Sequence, residues 1–271
     1  MQIRSFVLDL ARYTAEHAPD EVEEYCNPST THWLPFLASR HLASDRFCFD
    51  NEEKFRYYGR ANFVEVYNEV MSMRRVGRRK LFLHGTSGSG KSHILAALAC
   101  LLTRKGKPVV YLADCVSLVQ SPMRGILASL TIAFANHEDL LEQIKMINSQ
   151  KSLEEFCDAV ARRNQIYWIV DQANALDTMP IGSDRVDEVT KAEVRKLLDK
   201  ITCLHFKIAS SSGNYTHAIT DQDRSTSERR LNMYGGLSEV IDPRRRLQPL
   251  LISMSRSRCV TGGWALGGRG F

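Results

Sequence analysis

Eight consecutive residues, Gly85-Thr86-Ser87-Gly88-Ser89-Gly90-Lys91-Ser92, set three glycines, a lysine and a closing hydroxyl in the order G-x-x-x-x-G-K-[ST]. Phosphates are acceptor-only and heavily charged, so a site for them needs converging donors. Small residues allow a turn tight enough for the amides of Gly88, Ser89, Gly90 and Lys91 to point inward. A helix starting there adds the positive end of its dipole. On this pattern Lys91 reaches the outer phosphates of a nucleotide and Ser92 offers its hydroxyl to Mg²⁺. Leu81-Phe82-Leu83-His84 ahead of the loop reads as a short apolar strand, and His93-Ile94-Leu95-Ala96-Ala97-Leu98-Ala99-Cys100-Leu101-Leu102 behind it as a helix. Strand, loop and helix in that order form the context a P-loop requires. The expected nucleotide-binding stretch runs from Gly85 to His93.

A second group of residues follows about eighty positions on. Ile166-Tyr167-Trp168-Ile169-Val170 is an apolar run that ends in Asp171, the expected partner of Ser92 in holding Mg²⁺ through its water shell. AAA-like ATPases usually place Glu next, as the base that polarises the attacking water. Here the next residue is Gln172, which can hold a water by hydrogen bonds but cannot take its proton. Nucleotide binding is thus expected, and hydrolysis is expected to be slow. Ser210-Ser211-Ser212-Gly213-Asn214 ends another strand and reads either as a γ-phosphate sensor lying between the Mg²⁺ strand and the P-loop, or as a plain Ser-rich turn. Arg224, Arg229 and Arg230 are candidates for a transition-state arginine, with a solvated polar stretch as the alternative. Asp114 reads as a helix cap, and His84 as structural.

The elements that must position these residues alternate. Apolar runs at Leu81–His84, Val109–Asp114, Ile166–Asp171 and Phe206–Ser212 read as strands. Between them lie helical patterns at about Met123 to Ser149, from Ser152-Leu153-Glu154-Glu155 as a capping box, and at Val186 to Ile201. Asn174 to Asp184 reads as a loop. Such alternation implies an α/β fold with a parallel sheet flanked by helices, and a ligand at the carboxyl ends of the strands. Ahead of the P-loop, Tyr58-Gly59-Arg60 precedes a helical pattern through Phe63, Val66, Tyr67 and Val70. Glycine and arginine there resemble the adenine-side element of AAA-type and origin-recognition-like ATPases, which implies Gly59 and Arg60 near the base, or they form a turn capping an amphipathic helix. Residues 1–54 read as an irregular N-terminal extension whose Trp33-Leu34-Pro35-Phe36-Leu37 could pack on the main domain. The NTPase domain is expected over 55–240, and residues 241–271 as a weakly structured, low-complexity tail.

Composition narrows the class. The chain has 271 residues, 44% hydrophobic and 25% charged, as expected of a soluble globular protein, and its net charge of +5 permits a nucleic-acid partner without arguing for one. Seven scattered cysteines without C-x-x-C spacing point to a reducing, intracellular compartment, cytoplasmic or nuclear. No signal peptide or membrane-spanning run is visible. The cluster Arg74-Arg75-Val76-Gly77-Arg78-Arg79-Lys80 reads as a dipole-compensating helix end, with a nucleic-acid patch or import signal as the sharper alternative. Asp184 with Glu193-Val194-Arg195 only loosely imitates a nuclease, and those residues fit an amphipathic helix better.

Together, Tyr58-Gly59-Arg60, Gly85 to Leu95, Val109-Val110-Tyr111-Leu112-Ala113-Asp114-Cys115 and Asp171-Gln172-Ala173-Asn174-Ala175-Leu176 resemble the P-loop ATPase module of Crinkler-type and retrotransposon-hot-spot-type proteins. The resemblance covers about Phe55 to Asn214. It implies an AAA-like (ASCE-type) sheet, ATP and Mg²⁺ as cofactors, an effector or mobile-element role, and Gln172 as a family trait. The chain departs from that family in lacking a recognisable nuclease domain and in its sequence after Glu239. Two functions remain in view. One is a slow or partner-stimulated ATPase acting through Lys91, Asp171 and Gln172. The other is a non-hydrolysing, ATP-gated switch. A protein partner and self-association into a homo-oligomer are left open.

Overall fold

Four strands alternate between two cores, and that alternation explains their unbroken apolar runs. The strands are β3 (Lys80–Gly85), β4 (Val109–Leu112), β5 (Tyr167–Val170) and β6 (Phe206–Ser212). Leu81, Leu83, Val109, Tyr111, Tyr167, Ile169, Phe206 and Ile208 face one core, while Phe82, Val110, Leu112, Trp168, Val170 and Ala209 face the other. A parallel strand covered on both faces has no solvent side and so keeps no polar alternation. With β7 (Glu228–Asn232) they form one parallel sheet in the order β4-β5-β6-β3-β7. β6 thus lies between the P-loop strand and the strand that ends at Asp171. The computed structural model describes residues 2–39, 45–50, 54–177, 188–212 and 228–233. All of these belong to one compact unit, Met1–Gly236, and the second unit, Leu237–Phe271, lies outside the described residues together with the expected tail.

One face of the sheet carries α5 (Cys115–Gln120), α6 (Pro122–Ala133), α7 (Glu138–Met146), α8 (Gln150–Arg163) and α9 (Glu188–Thr202). The long helical region expected over about Met123 to Ser149 is divided into two helices, α6 and α7. It breaks at Phe134, whose ring is buried and meets Phe156 edge-on at 6.1 Å, which turns the chain before α7. The capping box sits three residues earlier than expected. Ser149 caps α8, and the reciprocal partner is the Ser152 hydroxyl instead of a glutamate. Asp114 caps α5 by accepting the amides of Val116 (3.0 Å) and Ser117 (3.2 Å), so its structural reading holds.

The opposite face carries α4 (Lys91–Arg104) and α3 (Phe63–Met71). It is completed by the N-terminal extension, with α1 (Gln2–His17), α2 (Val22–Cys26) and β1 (Thr31–Pro35). β1 pairs antiparallel with β2 (Lys54–Tyr58). Tyr25, Leu34, Phe36, Leu37 and Phe47 of the extension enter the same core as α4. Every residue of α4 from Ile94 to Leu102 is buried, and a helix apolar all round must be covered all round. Cys100 Sγ meets the Pro35 carbonyl at 3.1 Å on that covered side. β7 was not apparent in the sequence: it is a charged edge strand in which Leu231 alone is buried, as edges usually require.

Candidate functional site

The P-loop connects β3 to α4. Gly88 (φ +79°) and Gly90 (φ +85°) take the left-handed conformation that glycine adopts without strain. Gly90 is doubly constrained, because a Cβ there would sit 2.2 Å from Nη1 of Arg60. Lys91 curls back over the loop: its Nζ donates to the carbonyls of Gly85 (2.9 Å) and Thr86 (2.8 Å) and to Ser89 Oγ (3.0 Å). Burial lowers its pKa, and the Asp171 carboxylate acts against that shift. The α4 N-terminus opens into the same loop, so its positive dipole end lies beside the ammonium, while the Ser89 amide is bonded to the Thr86 carbonyl at 3.2 Å.

The carboxyl ends of β5 and β6 complete the site. Asp171 is 1% exposed and accepts hydrogen bonds from the Ser210 hydroxyl and from the Gln172 amide (3.0 Å). Ser210 to Ser212 lie beside Leu83 to Gly85 in the parallel register, which carries the serine-rich strand end to both Asp171 and the P-loop. Gln172 has φ +58° and ψ +41°, the sole non-glycine with positive φ among the described residues. For an unbranched polar residue this conformation is uncommon. Its amide is fixed by Asp171 Oδ1 and lies 3.4 Å from Ser210 Oγ, so the turn aims Gln172 away from the strand direction at the point where β5 ends.

One residue at the centre was not anticipated. Arg46, from the N-terminal extension, donates through Nη1 to Asp171 Oδ2 (2.7 Å) and to Ser92 Oγ (3.4 Å), and through Nη2 to the Ala113 carbonyl (2.9 Å). A single nitrogen reaching both oxygens means that the Ser92 hydroxyl and the Asp171 carboxylate converge on one cation-sized position. Two hard oxygens suit Mg²⁺, which is usually held by one or two protein oxygens together with substrate phosphates and water. Among the described residues there is no group of three or more His, Cys, Asp or Glu that would hold a metal without such a substrate. No local sequence signal marks Arg46. Its contact with Asp171 spans 125 residues, and only the aromatic Phe47 beside it hints at an anchored position.

Other candidates fall elsewhere. The Gly59 and Arg60 amides donate to Thr30 O (3.2 Å) and Tyr25 O (2.9 Å), so the extension occupies the backbone edge of that box. The Arg60 guanidinium instead lies against the P-loop, 3.5 Å from the Ser89 carbonyl. His93 packs on Phe47 with ring centroids 4.5 Å apart; burial, with Arg60 and Arg46 nearby, lowers its pKa to about 4. Arg229 and Arg230 lie ahead of the carboxyl end of β7, paired with Glu69 (3.6 Å) and Glu228 (2.9 Å), and do not join the site. The His84 main chain ties β3 to the end of β7, its carbonyl taking the Met233 amide at 2.6 Å. In the basic cluster Arg74 bonds the carbonyls of Met71 and Met73 at 3.1 Å, and Arg78 pairs with Glu69 at 2.9 Å, which accords with the structural reading. Gly213, Asn214, Arg224, Asp184 and the loop after Asp177 lie outside the described residues.

A Gly-rich loop opening a helix, a hydroxyl and a buried carboxylate at adjacent strand ends, and a strand inserted between them define a nucleotide-binding P-loop NTPase of AAA-like build. The chain belongs to the novel STAND NTPase 1 family, whose model matches residues 47–216. That match supports the P-loop NTPase part of the resemblance and does not single out the Crinkler-type branch. No curated protein matches the sequence. Among solved structures, the chain is similar to a DNA replication initiation factor at 14% identity, with 81% of this chain and 56% of that one covered and a TM-score of 0.38. It is also similar to the AMPPCP-bound DnaA from Aquifex aeolicus at 15% identity, with 84% and 58% covered and a TM-score of 0.35. A third is C. elegans PCH-2 at 12% identity, with 96% and 48% covered and a TM-score of 0.33. The chain thus spans about half the length of the structures it matches. No described helix is long and apolar enough to cross a membrane.

Proposed function

We propose that the chain is a Mg-ATP-binding regulatory NTPase with slow or partner-stimulated hydrolysis. The observation that supports it best is the convergence of Ser92 and Asp171 on one cation position beside the Lys91 ammonium. In this reading Lys91 and the amides of Gly88 to Lys91 hold the phosphates, and Ser92 and Asp171 hold the metal. The metal would neutralise charge on the transferring phosphoryl group. Ser210 orients Asp171 and faces the γ-phosphate. Gln172 orients the attacking water through its side-chain amide and leaves the proton to solvent, which is why the rate is low.

Arg229 and Arg230 are paired away from the site, so a transition-state arginine would come from residues outside those described or from a partner, including a second copy. The six described cysteines are free thiols, which supports a reducing intracellular compartment. The attribution to the Crinkler-type branch, with its effector role, rests on the resemblance of the four segments named above, of which the run from Asp171 to Leu176 is the most specific. A non-hydrolysing ATP switch is the second reading, favoured by the missing carboxylate at Gln172.

Phosphate release from Mg-ATP, measured on the parent, Lys91→Ala and Gln172→Glu, decides between them. An ATPase should turn over detectably, fall to the blank in Lys91→Ala and gain rate in Gln172→Glu. ATP binding without phosphate release in both the parent and Gln172→Glu would leave only the switch.

A further inference from the structure

We propose that Arg46 is a built-in stand-in for the metal ion, and that Mg-nucleotide binds only by expelling its guanidinium from between Ser92 and Asp171. The proposal rests on the reading of those two residues as the metal pair. Nη1 of Arg46 sits 2.7 Å from Asp171 Oδ2 and 3.4 Å from Ser92 Oγ. Mg²⁺ that meets Ser92 directly and Asp171 through its water shell fills the space between those oxygens with ion and water, which leaves no room for the Arg46 nitrogen there. Like charge adds to the exclusion, because a guanidinium and a metal ion held at the same carboxylate repel each other. Before nucleotide arrives the arrangement is favourable. Asp171 is almost fully buried, and a buried carboxylate without a counter-charge is strongly disfavoured. Arg46 therefore stabilises the same site that it blocks.

The surroundings specify how the latch opens. Phe47 is 5% exposed and packs on Phe36, Phe55 and His93, with ring centroids 4.5 to 5.2 Å apart. The main chain beside Arg46 is thus pinned, and exit is a rotation of the long side chain instead of a movement of the segment. Asp45 waits on the outside: its carboxylate is 76% exposed and already 3.6 Å from the Arg46 Nε. An expelled guanidinium swings towards that carboxylate and gives up its bonds to Asp171, Ser92 and the Ala113 carbonyl. The extension thereby senses whether Mg-nucleotide is present.

Binding of a fluorescent ATP analogue, titrated with Mg²⁺ in the full chain, tests this alongside thermal melts without nucleotide. Arg46→Ala should melt below the parent and yet need at least tenfold less Mg²⁺ for half-saturation. Arg46→Lys, which keeps the charge, should stay near the parent. Arg46→Gln keeps hydrogen bonds to Asp171 and Ala113 without the charge; it should also need less Mg²⁺, and it carries the test if the alanine variant does not fold. An unchanged or higher Mg²⁺ requirement in the folded alanine or glutamine variant overturns the latch, provided Ser92→Ala still weakens Mg²⁺-dependent binding. If the parent shows no Mg²⁺ dependence and Ser92→Ala changes nothing, the Mg-ATP reading itself fails and the latch falls with it.

Discussion

His205 accepts the Ile166 amide at Nδ1 (3.2 Å) and directs Nε2 to the Cys157 carbonyl (3.1 Å), which fixes a neutral ring with its proton on Nε2. Burial lowers its pKa to about 4, with Arg75 and Arg79 acting in the same direction and the Cys157 carbonyl against it. The sign follows from linkage. Between the unfolded value near 6.5 and the folded value near 4, the unfolded chain binds a proton that the folded chain refuses, so stability falls as pH falls through that window. Chemical denaturation at pH 7 and pH 5 should differ by about 2 kcal/mol from this residue alone. His205→Asn, which keeps an acceptor for Ile166, should remove that share and leave the similar one that buried His93 makes in the same window. An equal pH dependence in both proteins would refute the assignment. His205 was invisible in the sequence because its burial is made by α8 and β5, elements about forty residues away. The positions of Lys91, Ser92, Asp171 and Ser210 were legible for the opposite reason: they follow from local order, with the loop before a helix and the acid or hydroxyl at a strand end. Arg46 belongs with His205, since only the folded chain brings it to Asp171.

Strands buried on both faces announce themselves as apolar runs, and β3, β4, β5 and β6 could all be read that way, β4 included, since all four of its residues are buried although it lies at an edge of the sheet. β1, β2 and β7 could not, because each lies at an edge where half the side chains are polar or charged. The junction between the extension and the P-loop is held by one glycine. A Cβ on Gly59 would lie 2.0 Å from the Asn27 carbonyl oxygen and 2.6 Å from its carbon, backbone atoms with no rotamer to escape by. Gly59→Ala should therefore cost about 2 kcal/mol or more, the scale of an overpacked core. It should also weaken nucleotide binding, because neighbouring Arg60 supports the P-loop at the Ser89 carbonyl. Gly77→Ala is the control: nothing lies within 4 Å of its Cβ, so only its backbone angle of +107° adds strain, in an exposed turn. Urea midpoints of the two variants separate the cases. If Gly59→Ala matches Gly77→Ala, the close approach to Asn27 is not what the position requires.

At the scale of the molecule, the sequence suggested a domain starting at 55, and the family match starts at 47, but the core starts earlier. Tyr25, Leu34, Phe36, Leu37 and Phe47 are each at most 5% exposed and cover the outer side of α4. The need for that cover was written in α4 itself: a P-loop helix with nine successive apolar residues has no face to give to water. What the sequence did not tell was which segment would supply it, because an irregular run with one Trp-Leu-Pro-Phe-Leu patch has no period to read. Each of those five side chains contributes about 1.5–3 kcal/mol by burial, so together they reach about 10 kcal/mol, as much as the entire net stability of a typical domain. A chain beginning at Lys54 should therefore fail to fold cooperatively, since it also leaves β2 without its partner β1. Circular dichroism with thermal melting checks this. A cooperative transition near that of the full chain would mean that the extension merely rests on the domain. An aggregated or molten product, restored by a chain beginning ahead of Tyr25, would mean that the functional fold includes the strand and the aromatic cover that hold Arg46 at the site.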